Sequence, residues 1–361
     1  MSVTAVAEGP VLPGAAGPSW SWRALRVGRE GLRWVIVAMS ALVIFGAFVS
    51  TRNVDPIAMY QGMWDGIFTG GYGVAQVLDK AAPFLLAAMA VALPARAGII
   101  NIGGEGQLVV GAAAAGGVGL FLGTHLSGLP AVILMAVAGA GAGALWAGIA
   151  ALLKVYGNVN EAISTLLLNY VGADVLSSLV YGPWKDVAGN GQPASKPLIA
   201  ADALPLLPGM QAHDGIIVAL LVVGATASVL AWTRWGFSLR AVGGNTEAAR
   251  RAGLPVALLI ISALLAGGAL AGLGGMLQFT GLEGQLRPGL GATFGYTGFL
   301  ASWLARHQPG RLVLASLLLS GIVVAGNSLQ ITSHLPGAAV NVLMALVLLA
   351  VLAQKARQAR A

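Results

Sequence analysis

Ten apolar runs set the terms on which this chain folds. They lie at Trp34–Val49, Ala81–Ile100, Leu108–Leu122, Leu129–Leu153, Ala162–Tyr181, Gly215–Thr233, Ala257–Met276, Gly289–Ala305, Leu312–Ala325 and Pro336–Ala353. Charge is scarce around them: 9% of the 361 residues are charged, where a soluble domain has about a quarter. A helix needs about 20 apolar residues to cross a ~30 Å hydrocarbon core, so ten spans use roughly 200 residues. Loops and tails remain, but no large soluble domain. The expected fold is all-α: a polytopic membrane protein of about ten transmembrane helices. The eighth and ninth runs are the weakest, being short and broken by Gly or Ser. Ten spans permit two pseudo-repeated halves of five, an arrangement transporters build from inverted repeats, although the halves do not visibly align. This composition excludes an ordinary soluble enzyme, a disordered chain and a nucleic-acid-binding domain.

The net charge of +7 follows the membrane, because the basic residues flank apolar runs. With the N-terminus inside, the cytoplasmic segments collect fifteen Lys and Arg residues and the outer segments five. An even span number places both basic termini inside, as the positive-inside rule requires. Arg23, Arg26, Arg29 and Arg33 before Trp34 resemble a signal peptide, but a retained first helix fits the many spans that follow. Residues 1–22 form a tail without periodicity, 23–354 the membrane domain, and 355–361 a basic cytoplasmic tail. The domain carries an outer loop at 182–214, rich in proline, and a cytoplasmic loop at 234–256. Ile57, Tyr60, Met63, Trp64, Ile67 and Phe68 fall at helical spacing, which predicts a short helix either on the membrane surface or packed on neighbouring spans. The absence of cysteine excludes disulfides, Cys-based zinc sites and thiol nucleophiles. The four histidines lie in loops or at span ends without metal-ligand spacing, so neither a metal nor a catalytic constellation is expected.

Ionisable and amide side chains inside a membrane are expensive and functional by default. The segment Asn101-Ile-Gly-Gly-Glu105-Gly-Gln107 precedes a run of only 15 residues, roughly 22 Å of helix. Drawing Glu105 and Gln107 below the membrane surface is one solution, and irregular backbone there must be buried or line a cavity. The other is a cytoplasmic turn with Glu105 near a helix N-terminus. In the fifth run, Tyr170, Asp174, Ser177 and Tyr181 form one polar stripe, and Glu161, Ser164, Thr165 and Asn169 form another on roughly the opposite face. Such a helix is expected inside the bundle. Its stripes serve either interhelical hydrogen bonds or a solute path. Asn327 and Asn341 are read as structural hydrogen-bonding residues. The small-residue stretches Gly139–Gly143 and Gly267–Gly275 predict close helix packing. No G-x-x-x-x-G-K-S/T is present, so the chain is not expected to bind and hydrolyse ATP through a P-loop.

The loop after the sixth run contains a compact helix signal. Asn245 suits an N-cap, Glu247 the first turn, Arg250 and Arg251 the last, and Gly253 the stop. A helix this short needs a partner surface, and Ala248 and Ala249 offer it a small face. Gly-Asn-x-x-Ala-Ala-x-x-Ala-Gly over 244–253, after Leu-Arg-Ala-Val-Gly, resembles the coupling loop of bacterial ABC importer permeases for branched-chain amino acids, monosaccharides and nucleosides. Ala97–Gln107, Asn160–Tyr170 and Phe294–Gly310 resemble further segments of the same permeases in the same order. Ser302-Trp303 and Arg306-His307-Gln308 depart from the usual pattern. The likeness covers roughly 34–353 and is greatest to simple sugar and nucleoside permeases.

The resemblance implies a multi-pass permease of the bacterial inner membrane that imports a small polar solute, a nucleoside or simple sugar, without chemistry on it. It implies a second permease, identical or related, two cytoplasmic ATPase subunits using ATP and Mg, and an extracytoplasmic binding protein. It implies no cofactor in this chain. Asn245, Glu247, Ala248, Ala249, Arg250 and Gly253 would carry the coupling. Burial, not motif, assigns Asn101, Glu105, Gln107, Thr165, Asn169, Tyr170 and Asp174 to the path. Tyr170, Tyr181 and Trp184 offer surfaces for stacking. The rival reading is a proton-coupled secondary transporter using Glu105, Glu161 or Asp174.

Overall fold

Backbone N–H and C=O groups in hydrocarbon must be satisfied within the chain, and the helix does this without a partner. A computed structural model of the protein describes residue 36 and residues 39–123, 125–189, 191–332 and 338–360. Among the described residues the elements are α1 (Met39–Ser50), α2 (Pro56–Phe68), α3 (Tyr72–Ala95), α4 (Gly104–Leu122), α5 (Leu129–Gly157), α6 (Glu161–Tyr181) and α7 (Gly215–Trp232). They continue with α8 (Arg234–Gly244), α9 (Thr246–Arg251), α10 (Val256–Leu277), α11 (Phe294–Leu304), α12 (Pro309–Thr332) and α13 (Ala338–Arg360). The tail 1–22 and the four arginines before Trp34 lie outside the described residues.

Seven of these helices are long and apolar enough to cross a membrane: α3, α4, α5, α6, α7, α10 with its π-helical extension to Glu283, and α12. The all-α polytopic expectation holds, and among the described residues seven helices, not ten, reach that length. The eighth run is a loop followed by α11, whose 11 residues reach only about 16 Å. The ninth is stronger than its sequence suggests, because Pro309 opens a helix that continues to Thr332. The first and tenth runs fall on α1 and α13, whose described apolar stretches, Met39–Ser50 and Ala338–Val347, are shorter than a span. Asn327 on α12 and Asn341 on α13 are exposed.

Helix α3 is the axis of the fold. Of its most apolar stretch 83% is buried, against 28% for α5 and α7, because α2, α7, α10, α11 and α12 all pack on it. Its run of Ala81–Leu93 carries almost no surface. On one side, α4, α5 and α10 come together through glycine. A Cβ on Gly272 would collide with the Gly139 carbonyl, one on Gly143 with Gly268, and one on Gly275 with Leu108. Backbones this close gain dispersion and weak hydrogen bonding, which drive helix association where lipid is as apolar as the side chains.

The outer loop is folded, not extended. Lys185 pairs with Ser195 and Leu206 with His213 in isolated bridges. Ser195 N–H donates to Leu286 O, Leu198 N–H to Gly284 O and Leu204 N–H to Thr280 O. The loop is thus stapled to the segment after α10. At the same end, His213 N–H donates to Asp79 on α3 (2.8 Å), while the His213 ring accepts from Gly215 at Nδ1 (3.0 Å). Burial pushes the His213 imidazole below its ordinary pKa. Helix α2 packs on its neighbours, with Met59 buried and Tyr60 donating to Leu42 O, while Ile57, Trp64 and Phe68 remain exposed.

Gly272→Val and Gly143→Val are expected to cost about 1–3 kcal/mol or more by overpacking. Gly141→Val, where nothing stands within 4 Å of the added carbon, should be neutral. Melting temperatures of the detergent-purified protein decide this, and equal shifts for all three would contradict the packing.

Candidate functional site

Two helices begin in the middle of the bundle. Phe84 lies halfway along α3, and its ring meets that of Phe294, the first residue of α11, at 4.7 Å. A Cβ on Gly298 would strike Ala87, one turn further along α3. Helix α11 therefore runs beside the second half of α3. The chain reaches its start by re-entering the bundle over 284–293, with positive φ at Gly284, Gly289, Gly291 and Thr293. Only glycine takes these angles without strain, and Thr293 is held there by its neighbours.

The start of α4 lies against the start of α11. A Cβ on Gly104 would stand 3.6 Å from Gly295 Cα, and one on Gly295 would collide with Glu105 N. The Glu105 side chain, on a residue 8% exposed, accepts hydrogen bonds from the N–H groups of Thr293 (2.5 Å), Gly295 (2.8 Å) and Tyr296 (3.3 Å). These are donors that a helix N-terminus cannot satisfy within itself, and the helix dipole favours the negative charge there. Glu105 does sit in the first turn of its own helix, as one sequence reading held, yet its carboxylate caps a different helix.

Four more predicted residues complete the junction. Asn101 and Gln107, 0% and 1% exposed, exchange a reciprocal pair of amide bonds at 3.0 Å. Asn101 also donates to Ala90 O and accepts from Gly103 N–H. Thr165 Oγ1 accepts from Ile102 N–H. Asn169 accepts from Gly106 N–H (2.8 Å) and donates to Ile102 O (2.9 Å) and Tyr296 Oη (3.3 Å). The bonds to Ile102, Gly103 and Gly106 satisfy backbone groups in the turn before α4 and in its first residues, and the amide pair of Asn101 and Gln107 satisfies two buried side chains.

Tyr170 and Asp174 are not part of the junction. Both lie exposed on the far face of α6 with Tyr181, and Ser177 is half-buried beside them. This corrects the expectation that α6 lies within the bundle. It is peripheral, packed on α4 and α5, with one polar stripe turned inward and the other uncovered. Of the three carboxylates a proton carrier would use, Glu105 is a cap and Glu161 is ion-paired with Lys154 at 2.8 Å. Asp174 alone lies open. Trp184 packs against Phe121 instead of standing free for stacking.

Thr293, Gly295 and Tyr296 escape a sequence reading, which takes 289–305 as a span. The available signal was Gly289, Gly291 and Gly295 within one short run. Ala292 and Thr293, at the tip of the re-entrant loop, are exposed.

At the Arg-rich end of the bundle, α9 matches its sequence signal. Asn245 accepts from Ala248 N–H, Glu247 pairs with Arg250 (3.6 Å) and Arg251 (3.1 Å), and Gly253 (φ +78°) ends the helix. Helix α8, capped by Thr233, has no counterpart in the sequence reading. Asn245, Glu247, Ala248, Arg250 and Gly253 are exposed, but Ala249 is buried against its own bundle. The small face foreseen for Ala248 and Ala249 is therefore split.

Glu105→Ala leaves three backbone donors without their acceptor, the Gly295 N–H buried and those of Thr293 and Tyr296 part-buried, and is expected to cost about 1–3 kcal/mol or more, with Glu105→Gln losing less. Denaturation of the purified protein checks this. A loss for Glu105→Ala no greater than for Asp174→Ala would contradict the capping role.

Residues 73–352 match the family described as branched-chain amino acid transport system / permease component. The glucose ABC transporter permease protein of Haloferax volcanii is 37% identical over 329 residues, covering 87% of this chain and 85% of its own. The guanosine ABC transporter permease protein of Bacillus subtilis is 32% identical over 332 residues, covering 88% and 93%. A nucleoside ABC transporter permease protein of Lactococcus lactis is 24% identical over 304 residues, covering 80% and 82%. No solved structure is significantly similar to the chain.

Proposed function

The chain belongs to the branched-chain amino acid transport permease family and is a multi-pass ABC transporter permease, and from that premise we propose that it imports a nucleoside or simple sugar. The similarity to glucose and guanosine permeases over most of the chain carries the solute class. The Arg-rich end, with Arg96, Arg234, Arg240, Arg250, Arg251, Arg306 and Arg311, faces the cytoplasm by the positive-inside rule. Both termini lie on that side, in a bacterial inner membrane.

The path runs along the uncovered face of α6. A carboxylate at Asp174 is too costly to leave against lipid, and among the described residues Tyr170, Asp174 and Tyr181 of its stripe are exposed. A second permease, identical or related, covers it and encloses an aqueous route between the two. Tyr170 and Asp174 line that route directly. Asn101, Glu105, Gln107, Thr165 and Asn169 hold the wall behind it, with Thr293 at its edge. Helix α9 presents Asn245, Glu247, Ala248, Arg250 and Gly253 to a cytoplasmic ATPase, while Ala249 anchors the helix from behind. ATP and Mg act in that partner, and this chain performs no hydrolysis. A solute-binding protein docks at the outer end on 182–214.

Glu247→Arg with Ala248→Trp reverses a charge and enlarges a small contact on an exposed face. Affinity purification of the tagged parent chain is expected to recover a P-loop ATPase, and the double variant to lose at least ~10-fold of it while staying monodisperse. Undiminished recovery would sink the docking surface. The recovered binding protein should be stabilised by purine nucleosides or monosaccharides in a thermal-shift screen. A response to neither would overturn the solute class.

A further inference from the structure

The turn between α3 and α4, residues 96–103, touches three elements. Helix α8 lies on its near side: a Cβ on Gly98 would stand 3.5 Å from Gly243 Cα, and one on Gly243 would collide with the Arg96 carbonyl. Main chain rests on main chain, with no flexible side chain between them to absorb a displacement. On a second side the half-buried Arg96 guanidinium donates to His307 O at 2.8 Å. On the third, Ile102 bonds Thr165 and Asn169 of α6.

His307 closes the turn after α11. Arg306 and His307 are both left-handed, φ 54° and 56°, a conformation that persists only where the surroundings over-determine it. His307 N–H donates to Ser302 O (2.8 Å), and Ser302 Oγ bonds the His307 ring at 2.9 Å. Helix α11 is thus gripped at both ends: by Arg96 through this turn, and by Glu105 at its first residues.

We infer that Arg96 is a positioning residue for transport, passing displacements of α8 and α9 to α11 through His307 and to α6 through the turn that Arg96 begins. The inference rests on the reading that α9 docks an ATPase. Packed interiors have low compressibility and transmit strain, so a push on α9 that moves α8 must move residues 96–98. Without the guanidinium, the turn after α11 is free to stay behind.

The chain has no cysteine, so a single reporter is clean. Val175→Cys, 38% exposed on the uncovered face of α6, is labelled with a charged, membrane-impermeant methanethiosulfonate in the assembled complex, with and without ATP–vanadate trapping. The parent chain is expected to change its labelling rate by at least ~5-fold on trapping. Arg96→Met, which keeps the bulk but no donor, should reduce that change to below ~2-fold while ATP hydrolysis continues. Arg96→Lys, which still offers a donor, should restore most of it. A merely structural Arg96 would lower assembly and hydrolysis together and leave the trapped response of surviving complexes intact. That response in Arg96→Met, as large as in the parent, overturns the inference alone. A silent reporter in the parent overturns the docking reading and the inference with it. Should Arg96→Met not assemble, Ser302→Ala loosens the receiving turn without touching Arg96, and an unchanged response there overturns the inference.

Discussion

The carboxylate of Glu105 lets two helices begin where a membrane protein can least accommodate a helix start. Each N-terminus brings up to four unpaired N–H groups, and hydrocarbon offers nothing to take them. One buried acceptor with charge on both oxygens answers three of these groups on α11, and the side chain of Asn169 answers another on α4. The rest of the architecture follows from that junction. The loop 284–293 is free to re-enter because its end is held. Helix α11 is free to be short because a loop completes its crossing. The outer loop then has a fixed surface to staple against.

The second constraint is closeness. Helix α3 lies almost wholly inside, which requires neighbours on every side, and glycine at Gly143, Gly268, Gly272 and Gly275 lets α4, α5 and α10 close together beside it. Burial is spent at the centre and withheld at the rim. Helices α5, α6 and α7 show broad apolar faces, and α6 alone adds an uncovered stripe with Asp174, Tyr170 and Tyr181. In the proposed assembly a second permease covers that stripe and encloses water beside it.

Much of this was legible in the sequence for reasons that can be stated. Apolar runs longer than a bilayer need only count residues, so α3, α5, α7 and α10 were evident. The α9 helix carried its own caps, and Asn101, Glu105, Gln107, Thr165 and Asn169 stood out because buried polarity is costly. Partners were not legible. Nothing local to Glu105 tells that it caps a helix 188 residues away, and nothing local to Asn169 names Tyr296. The eighth run misled because composition over a window cannot distinguish a span from a glycine loop leading to half a helix. The placement of α6 misled for a related reason: polarity on two faces predicted a helix inside the bundle, whereas one of its stripes, with Tyr170, Asp174 and Tyr181, is exposed. Ala249 shows the same limit on a smaller scale, since two adjacent alanines on a six-residue helix face different ways.

The central claim is that the exposed tip of the re-entrant loop, beside the Glu105 junction, stands at the edge of the proposed aqueous route along α6. Ala292→Cys, at that exposed tip, and Leu314→Cys, 70% exposed on α12, are single cysteines, and the account sets the first in water and the second against lipid. Their reaction with a charged methanethiosulfonate in intact membranes is the most direct measurement. Rapid labelling at 292 with none at 314 is the result predicted. Equal protection of both, reversed only by detergent, would place the loop against lipid or sealed protein and contradict the account.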